Sequence, residues 1–397
     1  VARHYLDHAS TSPLRPEARA AMAEWSERGV TADPGRVHSE GRMVRGVLED
    51  ARDQVAGLLG VRPRQVVLTS GGTEAVNSAV WGVLAGDRGA PVACAAVEHS
   101  AVRDASARLG TLVEIDVDRL GRITAAAVGD ALGRSAALHG RTPALVHCQA
   151  ANHEVGTLQD VAEVVAVCRS AGIPVHVDAV AAAGHVPLDL GSVDADLVSI
   201  SSHKLGGPAG VGALVLRRGL RIDPLLIGGE QERGRRAGLE DVLGAVGFGA
   251  AAGALTVPGR IRAEAAAAGA ATDRLLEAAT AVDGVIPYGD VARRVPHILC
   301  LGVAGVEAEP VLLGLDQAGV AVHSGSSCSS ESLEPSPVLE AMGVDGERSL
   351  RLSVGWSTTD ADVAAFAGAF GDVVGRLRGL RGAHEARGHV DPDGSGS

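Results

Sequence analysis

Between about residue 65 and residue 216, short apolar runs rich in Val, Ile and Leu alternate with longer amphipathic stretches. The runs are QVVLT (65–69), PVACAAV (91–97), TLVEIDV (111–117), ALVHCQ (144–149), PVHVD (174–178), DLVSIS (196–201) and GALVLR (212–217). Each is short and nearly continuous in apolar residues, the pattern of strands buried on both faces. Helix-like segments such as 159–171 separate most of them. The alternation predicts an α/β domain built on a largely parallel sheet covered on both faces by helices. Ligands in such sheets collect at the carboxyl ends of the strands.

The pattern changes after Pro258 and Gly259, which mark a boundary. An Ala-rich helical stretch (259–282) follows, then a strand-like PHILCLGV (296–303) and a helix near 308–318. A small polar loop, HSGSSCSS (323–330), precedes a strand-like SLRLSVG (349–355) and a closing helix at about 359–379. These elements predict a smaller α+β domain. The end of the chain, GHVDPDGSGS, is turn-forming in composition, so 386–397 are expected to be a disordered tail.

Composition narrows the function classes. With 397 residues, 46% of them hydrophobic, the chain can bury a large core in two or three domains. A formal charge of −12 argues against direct binding of nucleic acid or an anionic membrane, both of which need a basic footprint. The densest basic patch, ERGRRAG (232–238), is too short to reverse this. No run of 18 apolar residues and no signal-like start are present, so a cytoplasmic location is the default expectation. The five cysteines are scattered without a CxxC pair, which argues against a disulfide framework or a zinc knuckle, and no metal is expected. Cys94, Cys148, Cys168 and Cys300 sit in apolar or helical surroundings and read as buried thiols. Cys328 lies in the small polar loop, where a thiol can reach out and react; a loop cysteine without a task is the plainer alternative.

One cation is unlike the others. Lys204 is the only lysine among 36 Lys and Arg residues. Arginine supplies charge, but only an amine can be deprotonated and form a Schiff base with a carbonyl. Chance survival in an arginine-biased composition is the competing reading. Upstream, the run ending at Thr69 passes through Ser70-Gly71-Gly72-Thr73 into a helical pattern. Free N–H groups at such a helix start bind phosphate, although a Gly-rich turn also arises from geometry alone. Asp178 closes a buried strand, where a carboxylate needs a positive partner or a cap to make. It precedes Lys204 by one crossover length, so the two side chains can meet at one sheet edge. Phosphate cradle, buried carboxylate and reactive amine are together what pyridoxal phosphate requires. His99, just after a strand, could stack on its ring.

These residues sit in motifs that resemble the cysteine desulfurases, enzymes of the class V aminotransferase superfamily with the type I fold for pyridoxal phosphate. The likeness runs through YLDHASTSPLRPEA (5–18), TSGGTE (69–74), EH (98–99), HVDA (176–179) and SHKLGGPAGVGAL (202–214). It continues in GGEQERGRRAG (228–238), SGSSCSSESLEPSPVLEAMG (324–343) and SLRLSVG (349–355). The SGSSCSS loop is similar to that of the group I, NifS/IscS-like members that serve iron-sulfur assembly and general sulfur transfer.

The resemblance implies a large cofactor domain (15–257) and a small domain (1–14 and 258–385) that carries the cysteine loop. It implies that Lys204 carries pyridoxal 5'-phosphate as a Schiff base and that Asp178 pairs with the pyridine nitrogen. Gly72, Thr73, Ser201 and His203 would hold the phosphate, while His99 would stack on the ring and move protons. Arg351 would clamp the carboxylate of L-cysteine, and Cys328 would take the sulfur as a persulfide, releasing L-alanine. A sulfur-acceptor protein, scaffold or carrier, and a homodimer are further implications.

Three positions depart from the family pattern. His153 stands where an Asn usually contacts the ring hydroxyl, Ala181 replaces a Gln, and Leu239 replaces a Thr that reaches the partner subunit's phosphate. His153 can donate a hydrogen bond, whereas the side chains of Ala181 and Leu239 cannot. A related lyase or aminotransferase acting on another small amino acid, or a non-catalytic sulfur-transfer platform, are the alternatives.

Overall fold

Strands that are apolar on both faces have no side to show to water, and the structure buries them in one sheet. The computed structural model describes residues 2–188, 190–324 and 336–388. In chain order its strands are β1 (His4–Tyr5), β2 (Val66–Thr69), β3 (Pro91–Ala95), β4 (Thr111–Ile115), β5 (Leu145–Gln149) and β6 (Val175–Asp178). They continue as β7 (Leu197–Ser201), β8 (Gly212–Leu216), β9 (Val285–Tyr288), β10 (Ile298–Val303), β11 (Val320–Ala321) and β12 (Ser349–Ser353). Each of the seven early runs becomes one of β2 to β8, trimmed by up to two residues at an end.

These seven form one sheet in the order β2-β8-β7-β6-β5-β3-β4. All run the same way except β8, which is antiparallel to both neighbours. The reason is the link from β7: residues 202–211 are fewer than the dozen or so that a parallel crossover needs, so the chain turns straight back. Lys204 sits in that turn, in a short 3-10 helix, Ser202–Lys204. The carboxyl ends of β2, β3, β5, β6 and β7 therefore share one edge with it.

Alternate residues of a strand enter different cores. Val66 and Leu68 of β2 join Val146, Val177 and Ile200 on one face, while Val67 joins Val80, Val92 and Leu214 on the other. The helices Ser39–Leu59 and Val242–Thr256 cover the first face nearly backbone to backbone: a Cβ on Gly249 would lie 2.7 Å from Cα of Ala51.

The second sheet is antiparallel, β12-β10-β9, with the helices Arg260–Thr280 and Asp360–Gly388 against it. Its core holds Leu299, Leu301, Leu350, Leu352, Phe366 and Phe370. Strand β10 serves both cores, since Ile298 and Cys300 face the large one and Leu299 and Leu301 the small one. Near the start of the chain β1 pairs with β11, and Leu6 enters the smaller core. Strands β1, β9 and β11 had no readable signal, two of them being only two residues long. The closing helix runs to Gly388, nine residues past its expected end at 379 and into the first residues of the expected tail. The remainder of that tail, 389–397, lies outside the described residues. Among those residues no single helix is long and apolar enough to cross a membrane.

Candidate active site

A cavity of about 290 Å³ opens at the carboxyl edge of the large sheet. Gly72, Thr73, His99, His153, Asp178, Ser201, His203, Lys204 and Arg351 all line it. Cys328, the remaining candidate, lies outside the described residues, as do its loop neighbours 325–335.

The β2 end turns into the helix Gly72–Leu84 through Gly71, whose φ of 155° is closed to other residues. A Cβ on Gly72 would lie 2.8 Å from a methyl carbon of Val180, so the helix start is pressed against the turn after β6. No side chain caps that start, and its first amides are free to bind an anion beside the exposed Thr73. Across from it Ser201, the last residue of β7, has a buried Oγ with no partner among the described residues. His203 Nδ1 is 3.2 Å from Thr11 Oγ1, and burial, helped by the nearby Lys204 charge, pushes the ring down to about 4, so it is neutral at pH 7.

The Lys204 ammonium donates to the carbonyl oxygens of Ala9 (2.5 Å) and Ser10 (2.9 Å). His185, pushed down to about 4 by burial, lies with Nε2 3.0 Å from the Lys204 carbonyl oxygen. Its ring stacks on His297 at 3.6 Å between centroids. Asp178 Oδ1 accepts from the Val180 amide at 2.9 Å. The capping role weighed for Asp178 is thus present, but it caps a turn and still lines the cavity.

Next to Gln149, which pairs with Asp178 in the sheet, lies a buried carboxyl that its sequence neighbours do not mark. Glu98 is 2% exposed; its Oε1 accepts from the Gln149 amide at 2.5 Å and its Oε2 has no partner among the described residues. Burial, reinforced by the charge of Asp178, raises its pKa well above the usual carboxylate value and so favours the protonated form. The EH pair carried the signal, but only its His had been given a task.

His99 is the N-cap of the helix Ser100–Leu109, with Nδ1 accepting from the Ala101 amide at 3.0 Å. His153 meets it edge to face, 4.9 Å between ring centroids. His153 Nε2 lies 3.5 Å from Glu154 Oε1, and burial lowers its basicity. The Glu154 Oε2 accepts from Ser336 Oγ at 2.5 Å. From β12, the buried Arg351 donates to the His153 carbonyl (2.9 Å), to Asp7 Oδ1 (3.1 Å) and to Ser10 Oγ (2.7 Å). Ala181 also lines the cavity, while Leu239 is exposed and away from it.

Three further histidines, His8, His185 and His297, line the cavity without having been expected there. A lone histidine in a sequence carries no sign of what it faces. The other four cysteines are buried as expected, and burial raises all four thiols. Among the described residues no group of three His, Cys, Asp or Glu side chains is placed to hold a metal ion.

The family model for class-V aminotransferases matches residues 4–366. The chain belongs to that family. It is 38% identical over 387 residues to the IscS-like cysteine desulfurase of Mycobacterium tuberculosis (strain ATCC 25618 / H37Rv), covering 94% of this chain and 97% of the relative. It is 37% identical to the putative cysteine desulfurase IscS 1 of Bacillus subtilis (strain 168), over 94% of this chain and 99% of that one. Among solved structures, the NifS-like protein of Rickettsia africae ESF-5 superposes with a TM-score of 0.84 at 26% identity, covering 94% of this chain and 99% of the other.

The cofactor of this class-V aminotransferase is pyridoxal 5'-phosphate, and the residues at the cavity fit it. An uncapped helix start with the unpartnered Ser201 hydroxyl opposite suits a phosphate. The amine of Lys204 and the carboxyl of Asp178 line the same space.

Proposed function

We propose that this class-V aminotransferase is a cysteine desulfurase that converts L-cysteine to L-alanine and keeps the sulfur as a persulfide on Cys328. The observation that carries the reading is the convergence of the nine described candidates on one cavity in a chain whose relatives are named cysteine desulfurases.

When bound, pyridoxal phosphate supplies an electron sink that loosens bonds at the substrate's Cα and Cβ. Everything else is the work of the chain. Gly72, Thr73, Ser201 and His203 would hold the phosphate, and Asp178 would pair with the pyridine nitrogen. Lys204 Nζ anchors the group and, once free, takes the proton from Cα. Arg351 orients the substrate carboxylate through its planar fork. The Cys328 thiolate attacks the substrate sulfur: the S–S bond forms from the thiolate pair, the C–S pair stays on carbon, and Cβ gains a proton. The four other thiols are buried and raised, which leaves Cys328 as the nucleophile.

The same reading makes the large domain 15–257, with 1–14 and 258–385 as the small one. The enzyme works as a cytoplasmic homodimer and hands its sulfur to an acceptor protein, for which iron-sulfur assembly is one destination. Incubating the purified chain with pyridoxal phosphate and L-cysteine tests the proposal. Alanine and sulfide should form in equal amounts under reductant and be lost in Cys328→Ser. Undiminished turnover in that variant, or far faster turnover of another small amino acid, would overturn it.

A further inference from the structure

We propose that the carboxamide of Gln149 donates a hydrogen bond to the ring oxygen of pyridoxal phosphate, and so supplies from β5 the amide that this chain lacks at Ala181. The inference rests on the cofactor placement above and gives a task to a cavity residue that neither the motifs nor the reaction used.

Gln149 ends β5 at the carboxyl edge of the large sheet and is 3% exposed. It stands opposite Asp178 in the parallel register of β5 and β6. The two side chains therefore leave the sheet on the same face, one strand spacing apart, about 4.8 Å. Both line the cavity, as do Ala181 and His153.

All of Gln149 but one hydrogen is committed. Its backbone amide donates to Glu98 Oε1 at 2.5 Å. Its Nε2 donates to the Val97 carbonyl oxygen at 3.1 Å, and its Oε1 accepts from Asn152 Nδ2 at 3.4 Å. Turning the amide over would set oxygen against the Val97 oxygen and an amino group against that of Asn152, so its orientation is settled. Asn152 cannot turn either, because its Oδ1 accepts the amides of Glu154 and Val155, both at 2.8 Å. A primary amide has two N–H donors, and Val97 takes one of those on Gln149. The other has no acceptor among the described residues, and a buried donor left idle at a cavity favours a ligand that accepts there.

Pyridoxal phosphate has four polar groups. Three are matched by the start of the helix Gly72–Leu84, by Asp178 and by Lys204. The ring oxygen is the fourth; it is borne on the carbon next but one to the pyridine nitrogen, as Gln149 sits one strand away from Asp178. A phenolic oxygen accepts more than one bond, so His153 can serve it as well. Ala181 offers only a methyl group.

Ligand binding tests this without turnover. The full-length chain, freed of cofactor, is titrated with pyridoxine 5'-phosphate, whose alcohol cannot react with Lys204, and with its 3-deoxy analogue, which lacks the ring oxygen. Gln149→Met keeps the length of the side chain and loses the amide, while Asn152 Nδ2 continues to donate to the Val97 oxygen at 3.1 Å. The variant should bind pyridoxine phosphate about 3- to 10-fold more weakly than wild type, the scale of one net hydrogen bond, and the 3-deoxy form within about twofold. Adding Ala181→Gln to Gln149→Met should restore at least about half of the loss, again only for the ligand with the oxygen. Should Met disturb the strand end, seen as a lowered Tm without ligand, Gln149→Leu is read in the same way. Equal losses for both ligands would make Gln149 a strut of the strand end, and no loss for either would leave the ring oxygen to His153; each overturns the proposal. A chain that binds as expected yet makes no alanine from cysteine would remove the desulfurase reading and uphold this one.

Discussion

The only lysine of the chain, Lys204, donates from Nζ to the carbonyl oxygen of Ala9, 195 residues earlier, at 2.5 Å. The start of the chain thus holds the amine at the carboxyl edge of the sheet, and any reaction of Nζ with an aldehyde has to displace that bond. Arg at this position keeps a charge and donors for both carbonyls but cannot form a Schiff base. Lys204→Arg is therefore expected to fold with little loss of stability, to stay colourless with pyridoxal phosphate, and to give no borohydride-fixed adduct. Its turnover of cysteine should fall by at least about 1000-fold. A yellow, reducible Lys204→Arg protein would show that the aldehyde is captured elsewhere.

Glu98 makes the second prediction, and its sign is unusual for a carboxyl. Its folded pKa is raised well above the ordinary value, so between the two values the folded state binds a proton that the unfolded chain releases. The stability it contributes is complete below the ordinary glutamate range and is lost as pH rises toward the raised value. Glu98→Gln keeps an acceptor for the Gln149 amide and cannot ionise. Urea unfolding should find the variant close to wild type at about pH 4 and increasingly the more stable of the two as pH rises. Glu98→Ala, which strips the Gln149 amide of its acceptor, should cost about 1 to 3 kcal/mol. Parallel curves for wild type and Glu98→Gln would mean that Glu98 ionises freely.

A third prediction concerns His297, which stacks on His185 and buries an Nδ1 with no partner among the described residues. Burial, helped by His185, His8, Lys204 and Arg351, holds its basicity well below the usual histidine value. Such a ring stabilises the fold above its unfolded pKa and loses that contribution as pH falls through the folded one. His297→Phe keeps the stacked ring, removes the orphan nitrogen and removes the acid penalty. The variant should unfold at higher urea than wild type, with the gap wider at about pH 5 than at about pH 8. A gap that narrows toward acid would place the titration elsewhere.

The sheet was legible because β2, β3 and β5 to β8 are buried along nearly their whole length, which writes them as runs dominated by apolar residues; the edge strand β4 leaves Thr111 and Glu114 exposed. The direction of β8 was not, since it depends on the length of a turn and not on hydrophobicity. Lys204, Asp178 and the Gly71-Gly72 pair were legible because few residues do what an amine, a strand-end carboxylate and a φ-permissive, close-packed helix start do. Glu98 was visible only as half of a motif: its chemistry comes from burial and from the charge of Asp178, neither of which leaves a mark on neighbouring letters. The same holds for His8, His185 and His297, brought from distant segments to one cavity by the meeting of the two sheets. The role of Ser336 in fixing Glu154 was hidden too, because the two are 182 residues apart.

Arg351 makes the last prediction, and its surroundings separate binding from architecture. Its guanidinium is 2% exposed and is held by the His153 carbonyl, Asp7 and Ser10, while Nε has no partner among the described residues. Lysine would keep the charge but lose the fork that meets a carboxylate with two parallel bonds. Arg351→Lys should raise KM for cysteine by about 10- to 100-fold and change kcat much less, the split expected when a binding contact is lost in ground and transition states alike. Asp7→Asn leaves the guanidinium in place and weakens only one of its anchors, so its KM should move by less than about threefold. Equal KM values in wild type and Arg351→Lys, with a loss of stability alone, would make Arg351 a strut between β12 and the first residues of the chain and leave the substrate carboxylate to another donor.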